Sequence, residues 1–290
     1  MSKDITIVIT TFRSNDVIFK CLNSIDKDYP VIVIENSKDD VFKKELEAKY
    51  NNVRCFLAGS NIGYGRANNY GISKVKTAYV LILNPDTQLH SDTLENFNIS
   101  IKKINNFAIL APINQNSSPK EDEKIEIKEN EEDSLKYTNI EKSVKDVRGF
   151  AMLLNLKEFR DIGFFDDNFF IYYEEIDLCK RVIQKDKKIY LLPKVKISHS
   201  GGQSHDSSIN YEMELSRNWH WMWSSFYYHK KHYGYFSAFI KISKKILSSF
   251  IKSIFFLMIL NISKSKIYFY RMNGIFNAMI GKESWYRPKV

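Results

Sequence analysis

The stretch Tyr79-Val80-Leu81-Ile82-Leu83-Asn84-Pro85-Asp86-Thr87-Gln88 carries four consecutive apolar residues, Val80 to Leu83, stopped abruptly by Asn84-Pro85-Asp86. A run this short, with two β-branched members and turn formers after it, predicts a buried strand. Apolarity without alternation predicts a parallel strand covered on both faces, and open α/β sheets bind ligands beyond the carboxyl ends of such strands. Asn84 and Asp86 stand at that end, with the backbone between them fixed by Pro85. Two oxygen-bearing side chains one residue apart can face a hard cation such as Mg2+ or Mn2+. Taken alone, the tripeptide reads first as a turn that closes a strand.

The flanking sequence repeats the pattern. Ile5 to Ile9 is a β-rich run ending at Thr10-Thr11, followed by Val17, Ile18, Cys21, Leu22 and Ile25 at helical spacing. Val31 to Ile34 ends in Glu35-Asn36-Ser37 and precedes a charged helix. Val53 to Ala58 precedes Ser60-Asn61-Ile62-Gly63-Tyr64-Gly65-Arg66-Ala67-Asn68-Asn69, which opens the next helix. Strand and helix alternate, which predicts an α/β fold whose mostly parallel central sheet is flanked by helices. After Asp86 come one more helical stripe (Leu94, Phe97, Ile101, Ile104) and a strand at Ala108 to Ala111. Between Glu121 and Asp133 there are eight acids and two lysines, a solvated loop or lid. Val147 to Leu154 is a strand whose Gly149 and Ala151 allow close approach. Lys188 to Leu192 and Val195 to Ile197 are strands around Pro193.

A second informative block is Gly163-Phe164-Phe165-Asp166 through Glu174-Glu175-Ile176-Asp177, where six aromatic residues lead into three acids at the start of a helix. The carboxylates complement the positive helix end. Beside so many rings they are equally placed for a raised pKa, as a general base needs. His199 follows a strand and precedes two glycines, open to a structural role or to a metal.

Composition bounds the rest. At 44% apolar and 27% charged residues over 290, the chain is an ordinary folded protein. Cys21, Cys55 and Cys179 are scattered, suggesting neither disulfides nor a zinc site and fitting a reducing compartment. No secretory signal pattern precedes the first strand, so a cytoplasmic location is expected. Lys230 to Val290 carry +11 of the net +9, leaving the first 229 residues at −2. The basic tail points to an anionic surface. In it Lys241, Lys244, Lys245, Ser248, Ser249, Lys252 and Ser253 form one helix face, and Ile242, Ile246, Leu247, Phe250, Ile251, Ile254 and Phe255 the other. This predicts an in-plane helix on the inner face of the cytoplasmic membrane. The alternative is a helix packed on the catalytic domain or on a second copy in a homo-oligomer. Nucleic acid is disfavoured, because the aliphatic face would have no role, and the apolar run is short of the roughly 20 residues needed to span a bilayer. The aromatic run Trp219, Trp221, Trp223, Phe226, Tyr227, Tyr228 suits either an interface or the core, with the core preferred.

Taken in order over residues 4 to 205, these blocks resemble the family 2 inverting glycosyltransferases with the GT-A fold, especially their bacterial rhamnosyltransferase-like branch. The matching residues are Thr10-Thr11, Glu35-Asn36-Ser37, Asn61 to Asn69, Asn84-Pro85-Asp86, Gly163 to Asp166, Glu174 to Asp177, and His199. The resemblance implies that Thr10, Thr11, Glu35, Asn61, Gly63, Arg66, Asn68 and Asn84 hold a nucleotide-sugar donor. It makes Asp86, with His199, the ligands of a divalent cation. Asn84 stands where Asp is usual, lowering the charge of the site. Glu175 falls on the position of the base that deprotonates the acceptor hydroxyl, usually Asp, with Glu174 and Asp177 as competitors. It further implies a UDP- or dTDP-sugar, dTDP-rhamnose among them, and a lipid-linked saccharide acceptor. The expected organisation is a catalytic domain over 1–215, with a donor half to about 112, an acidic loop at 116–146 and an acceptor half at about 147–215. A helical, membrane-associating region follows over 216–290.

The rivals are weaker. A dinucleotide-binding dehydrogenase fits Gly63-Tyr64-Gly65, but the third glycine position is Asn68 and the motif follows the third strand instead of the first. A sugar nucleotidyltransferase lacks a Gly-rich, Lys-bearing loop near the first strand. A nucleotide-sugar-binding or membrane-binding module without catalysis is the non-enzyme alternative.

Overall fold

The computed structural model describes residues 4–116, 142–201 and 207–289. The acidic stretch at 121–133 lies outside the described residues. Two compact units emerge, one from Met1–Ile62, Ala67–Phe165 and Leu178–Asp206, the other from Gly63–Arg66, Asp166–Asp177 and Ser207–Val290. The boundary expected near 215 falls inside a continuous helix, Asn210–Tyr233, and two short segments from the middle of the chain belong with the C-terminal helices.

The first unit is the α/β body. Its elements are β1 (Ile5–Thr11), α1 (Asn15–Asn23), β2 (Val31–Glu35), α2 (Asp40–Lys49), β3 (Val53–Leu57), α3 (Tyr64–Ile72), β4 (Tyr79–Leu83), β5 (Thr87–Leu89), α4 (Thr93–Lys103), β6 (Ile109–Asn114), β7 (Lys142–Ser143), β8 (Ala151–Asn155), α5 (Glu174–Gln184) and β9 (Ile189–His199); α3 and α5 each begin in the second unit. Among the described residues the sheet runs β3-β2-β1-β4-β8-β6-β9-β5, with β7 pairing β9. The β-α repeat yields the parallel set β3-β2-β1-β4, and β9 is parallel to β6. Strand β8 sits between β4 and β6, antiparallel to both. Every residue of β1 and β2 is buried, as continuous apolar runs require of strands covered on two faces.

Two expectations change in detail. Gly149 and Phe150 form a turn before β8, although the Phe150 carbonyl still accepts the Asn84 N–H at 2.9 Å. The two runs around Pro193 are one strand, β9. Its register against β6 jumps between Pro112↔Leu192 and Ile113↔Lys196, so Pro193, which has no N–H to donate, is absorbed in a bulge.

The second unit is helical: α6 (Asn210–Tyr233), α7 (Tyr235–Met258) and α8 (Ile262–Met279). Gly234, at φ +85°, separates α6 from α7 in a conformation only glycine adopts freely. The core of this unit is Trp219, Met222, Trp223 and Phe226 from α6, Ala238 and Ile242 from α7, and Ile275 and Ala278 from α8. The aromatic run is thus mainly core, with Trp221 left 41% exposed. A strap after α8 seals the bundle. The Trp223 indole donates to the Lys282 carbonyl at 3.0 Å, and the His220 ring lies 2.8 Å from the Tyr286 carbonyl and 3.0 Å from the Ser284 hydroxyl. Burial pushes His220 down to about 3, so it is a neutral structural ring.

Helix α7 departs from the expected division of faces. Ser249 and Ser253 are buried, while Leu247, Phe250, Ile251, Ile254 and Phe255 are exposed. The small serines let α8 approach closely. Ser253 Oγ donates to the Ser265 carbonyl at 3.1 Å and Ser265 Oγ returns the bond to the Ser253 carbonyl at 2.8 Å. Among the described residues no helix is long and apolar enough to cross a membrane.

The close approach of α6 and α8 depends on Gly274, where an added Cβ would lie 2.3 Å from the Trp219 carbonyl oxygen. Gly274→Ala is therefore expected to lower stability by about 1–3 kcal/mol, read from the urea midpoint. An unchanged midpoint would mean the helices separate without cost.

Candidate active site

In the first unit the candidate residues gather at the carboxyl ends of the parallel strands. Thr11 ends β1 and donates to Glu35 at the end of β2, at 2.5 Å, and Ser37 donates to the other Glu35 oxygen at 2.7 Å. Burial pushes the Glu35 carboxyl above its ordinary value, against the pull of those two hydroxyls. Thr10 donates to Asn68 Oδ1 at 3.0 Å, and Asn68 is fully buried. Asn61 accepts a 3.1 Å bond from Asn36, which also accepts the Ile62 N–H at 2.9 Å. Asn36, buried directly after β2, joins this network without having been among the candidate residues; its place just past a strand end is the signal in the sequence.

Asn84 to Thr87 form a turn with Pro85 in its second position, closed by the Thr87 N–H and hydroxyl on the Asn84 carbonyl at 3.3 and 2.7 Å. The turn leads straight into β5, whose first residue, Thr87, pairs with His199 at the end of β9. That register brings His199 Nε2 to 3.3 Å from Asp86 Oδ1. Asp86 is 6% exposed, and the His199 ring is stacked on Phe150, with centroids 5.0 Å apart. A carboxylate and an imidazole nitrogen converging in this way suit a borderline or hard divalent ion whose remaining positions go to ligand oxygens. No group of three or more His, Cys, Asp or Glu is poised for a metal among the described residues. The pair would therefore be an incomplete shell without a bound diphosphate.

The second unit carries the remaining candidates. Gly63 has φ +90°, and an added Cβ would lie 2.5 Å from the Phe170 carbonyl oxygen. Tyr64 N–H donates to that oxygen at 2.7 Å, and Arg66 Nε donates to the Asp167 carbonyl at 2.6 Å. Gly63 and Arg66 thus hold the segment leading to the acids. Tyr172 and Tyr173, both at φ +70°, follow in the left-handed region, which bulky residues rarely occupy.

The three competing acids are sorted by their surroundings. Asp177 is fully buried, with Oδ1 2.7 Å from both Lys231 Nζ and His232 Nε2. Lys231 also reaches Asp166 Oδ2 at 2.7 Å. Burial would raise the Asp166 carboxyl, but Lys231 and Asn168 outweigh it and hold it below its ordinary value. Asp177 therefore belongs to an ion-pair network that fixes the first turn of α5. Lys231 and His232, more than fifty residues away in sequence, had no signal to pair them with it. Glu174 is 5% exposed, and its Oε2 has no hydrogen-bond partner among the described residues. Burial first, and then the neighbouring Glu175 charge, push its carboxyl well above the ordinary range. Glu175 is half-buried and reached by solvent. Burial thus makes Glu174 easier to protonate than an ordinary glutamate, while Glu175 stands partly open to solvent.

This architecture is a GT-A-like α/β fold, shared with solved glycosyltransferases. The mannosyltransferase PcManGT from Pyrobaculum calidifontis, in complex with GDP-Man and Mn2+, aligns with a TM-score of 0.58 at 9% identity, covering 97% of this chain and 88% of its own. S. aureus TarS 1-349 aligns with a TM-score of 0.52 at 11% identity, covering 98% of this chain and 93% of its own. In sequence, the model of glycosyl transferase family 2 matches residues 6–177, and the chain belongs to that family. The low-salt glycan biosynthesis hexosyltransferase Agl10 of Haloferax volcanii is 26% identical over 202 residues, 65% of this chain and 64% of Agl10. The rhamnosyltransferase WbbL of Escherichia coli is 26% identical over 218 residues, 67% of this chain and 82% of WbbL.

The state of Glu174 has a pH signature. With its folded pKa raised, the wild-type protein is penalised most above both its folded and unfolded values, and the penalty is relieved as pH falls through the folded value. Glu174→Gln is expected to raise stability at pH 8, with the gain shrinking toward pH 5, as followed by urea unfolding across that range. A gain independent of pH would show that Glu174 does not titrate abnormally.

Proposed function

We propose that the chain is an inverting glycosyltransferase that moves a sugar from a nucleoside diphosphate to a hydroxyl of a saccharide acceptor in surface-glycan synthesis. The carrying observation is the Asp86–His199 pair at the carboxyl end of the parallel strands, with its 3.3 Å separation. Relatives and neighbours agree in kind. Agl10 is named for glycan biosynthesis and WbbL as a rhamnosyltransferase, and PcManGT was solved with a nucleotide sugar and Mn2+.

Asp86 and His199 would hold a Mg2+ or Mn2+ ion, with the less charged Asn84 beside them. Such an ion neutralises charge on the departing diphosphate. Thr10, Thr11, Glu35, Asn36, Asn61 and Asn68 would bind and orient the nucleoside and ribose through the network they already form. Gly63 and Arg66 would act by holding their loop. Glu175 takes the acceptor proton as its oxygen attacks the anomeric carbon and the bond to the diphosphate breaks, which inverts that carbon. Donor preference for UDP- or dTDP-sugars rests on the family resemblance.

A membrane location on the cytoplasmic side, facing a lipid-linked acceptor, is supported by the outward row Leu247, Phe250, Ile251, Ile254 and Phe255 on α7, with Lys241, Lys244 and Lys252 exposed on the same helix. An apolar row with lysines around it suits an interface with anionic headgroups. A second copy of the chain is the other occupant that such a face would accept.

Transfer assays, a thermal-shift screen and vesicle flotation test these readings. Glu175→Gln is expected to keep donor binding and lose about two to four orders of magnitude in transfer, and Asp86→Ala to lose metal-supported transfer. A mild Glu175→Gln beside a crippling Glu174→Gln would move the base by one residue, and preferential stabilisation by GDP in a thermal-shift screen would overturn the pyrimidine preference. For the membrane, the protein should float with phosphatidylglycerol vesicles at low salt, and Phe250→Asp with Phe255→Asp should abolish this. Wild-type protein remaining at the bottom of the gradient would refute the docking.

A further inference from the structure

A cavity of about 350 Å3 within the helical unit is lined by Tyr172, Arg217, Asn218, Trp221 and Arg271. Arg217, Asn218 and Trp221 share one face of α6, and Arg271 comes from α8. Trp221, 41% exposed, meets the Tyr172 ring edge-on at 5.3 Å, so two aromatic surfaces form a corner. The lining holds two guanidinium groups and no acid.

Arg271 is unusually placed. Among the described residues its Nε is buried without an acceptor, its Nη2 meets the weakly accepting Met222 sulfur at 3.7 Å, and its guanidinium carbon lies 5.9 Å from the Tyr268 ring centroid. It has no carboxylate partner among the described residues. Lys245 of α7 lies close enough that burial, and then the Arg271 charge, lower its pKa. A buried guanidinium nitrogen without an acceptor, beside a second cation, is stabilised by an incoming anion.

We propose that this cavity is an acceptor subsite for a saccharide bearing a phosphate ester, with the sugar ring against Trp221 and Tyr172 and the phosphate between Arg217 and Arg271. Arginine forks match phosphate oxygens in pairs, and the apolar C–H face of a pyranose suits an indole. Tyr172 is both a wall of the cavity and the residue two before Glu174. A ligand seated there lies at the entrance to α5, where Glu175 is carried. The subsite rests on the glycosyl-transfer reading for its purpose, though its ligand chemistry does not depend on that reading.

Calorimetric titration with glucose 1-phosphate and with glucose at equal ionic strength tests it. Glucose 1-phosphate should bind at least tenfold more tightly than glucose. Arg217→Met and Arg271→Met should each erase that preference, and Trp221→Ala should weaken glucose 1-phosphate without weakening inorganic phosphate. If Arg271→Met does not fold, Arg217→Met decides alone. Equal binding of the two sugars, or a preference that survives the arginine variants, overturns the subsite. Titration with UDP in parallel separates the two readings. UDP binding that persists while the sugar phosphate fails leaves the transferase standing without this subsite, and the reverse result leaves the subsite without the transferase. Two further probes identify the source of the phosphate: glucose joined through a diphosphate to a short prenyl alcohol, and glucose joined through one phosphate to glycerol. Tighter binding of the first assigns a lipid carrier and of the second a phosphodiester polymer, and failure of both to exceed glucose overturns the subsite.

Discussion

The pairing of Thr87 with His199 belongs to three residues of antiparallel ladder, yet it brings the candidate pair Asp86 and His199 together. Because β5 starts directly after the Asn84–Thr87 turn, its register sets which β9 residue faces Asp86. A slip by one residue would turn the His199 side chain to the other face of the strand. The bulge at Pro193 belongs to the same constraint, since it resets the register of β9 against β6 just before the residues that pair with β5. Phe150 then stacks on the ring and limits its rotation.

Much of this was legible in the residues. The runs at Ile5–Thr11, Val31–Glu35 and Tyr79–Leu83 announced buried parallel strands because strands covered on both faces have no polar alternation to confuse with a helix. Asp86 was legible because a strand that ends in Asn-Pro-Asp has little freedom about where its carboxylate goes. Long-range contacts were not. Nothing local in Glu174-Glu175-Ile176-Asp177 says that the last acid is claimed by Lys231 and His232 while the first is buried with Oε2 unpartnered among the described residues. The fate of Asp177 is set by Lys231 and His232 on α6, and helical periodicity does not name such a partner. The antiparallel β8 was missed as such because a buried strand reads alike in either direction.

Helix α7 shows a second limit. Its amphipathic division was visible, but the burial of Ser249 and Ser253 on the polar face was not. In the structure side-chain size decides: serine hydroxyls can satisfy themselves on a neighbouring backbone at close range, as Ser253 and Ser265 do for each other. Leucine and phenylalanine at those positions would hold the helices apart. The large apolar residues are therefore outside, where they expose more hydrophobic surface than scattered single residues do.

The strap that closes on His220 has a consequence for synthesis. The helical unit is assembled from segments near residues 63–66, 166–177 and 207–290, so its pieces leave the ribosome far apart in time. The α/β unit has its last strand by His199, whereas His220 and Trp223 wait for Tyr286 and Lys282. At about 5–20 residues per second, that leaves an interval of several seconds in which Trp219, Trp223 and Phe226 are out of the ribosome without their cover. A nascent chain in that interval presents an aromatic surface that chaperones bind, and a pause in translation beyond α6 would lengthen the exposure.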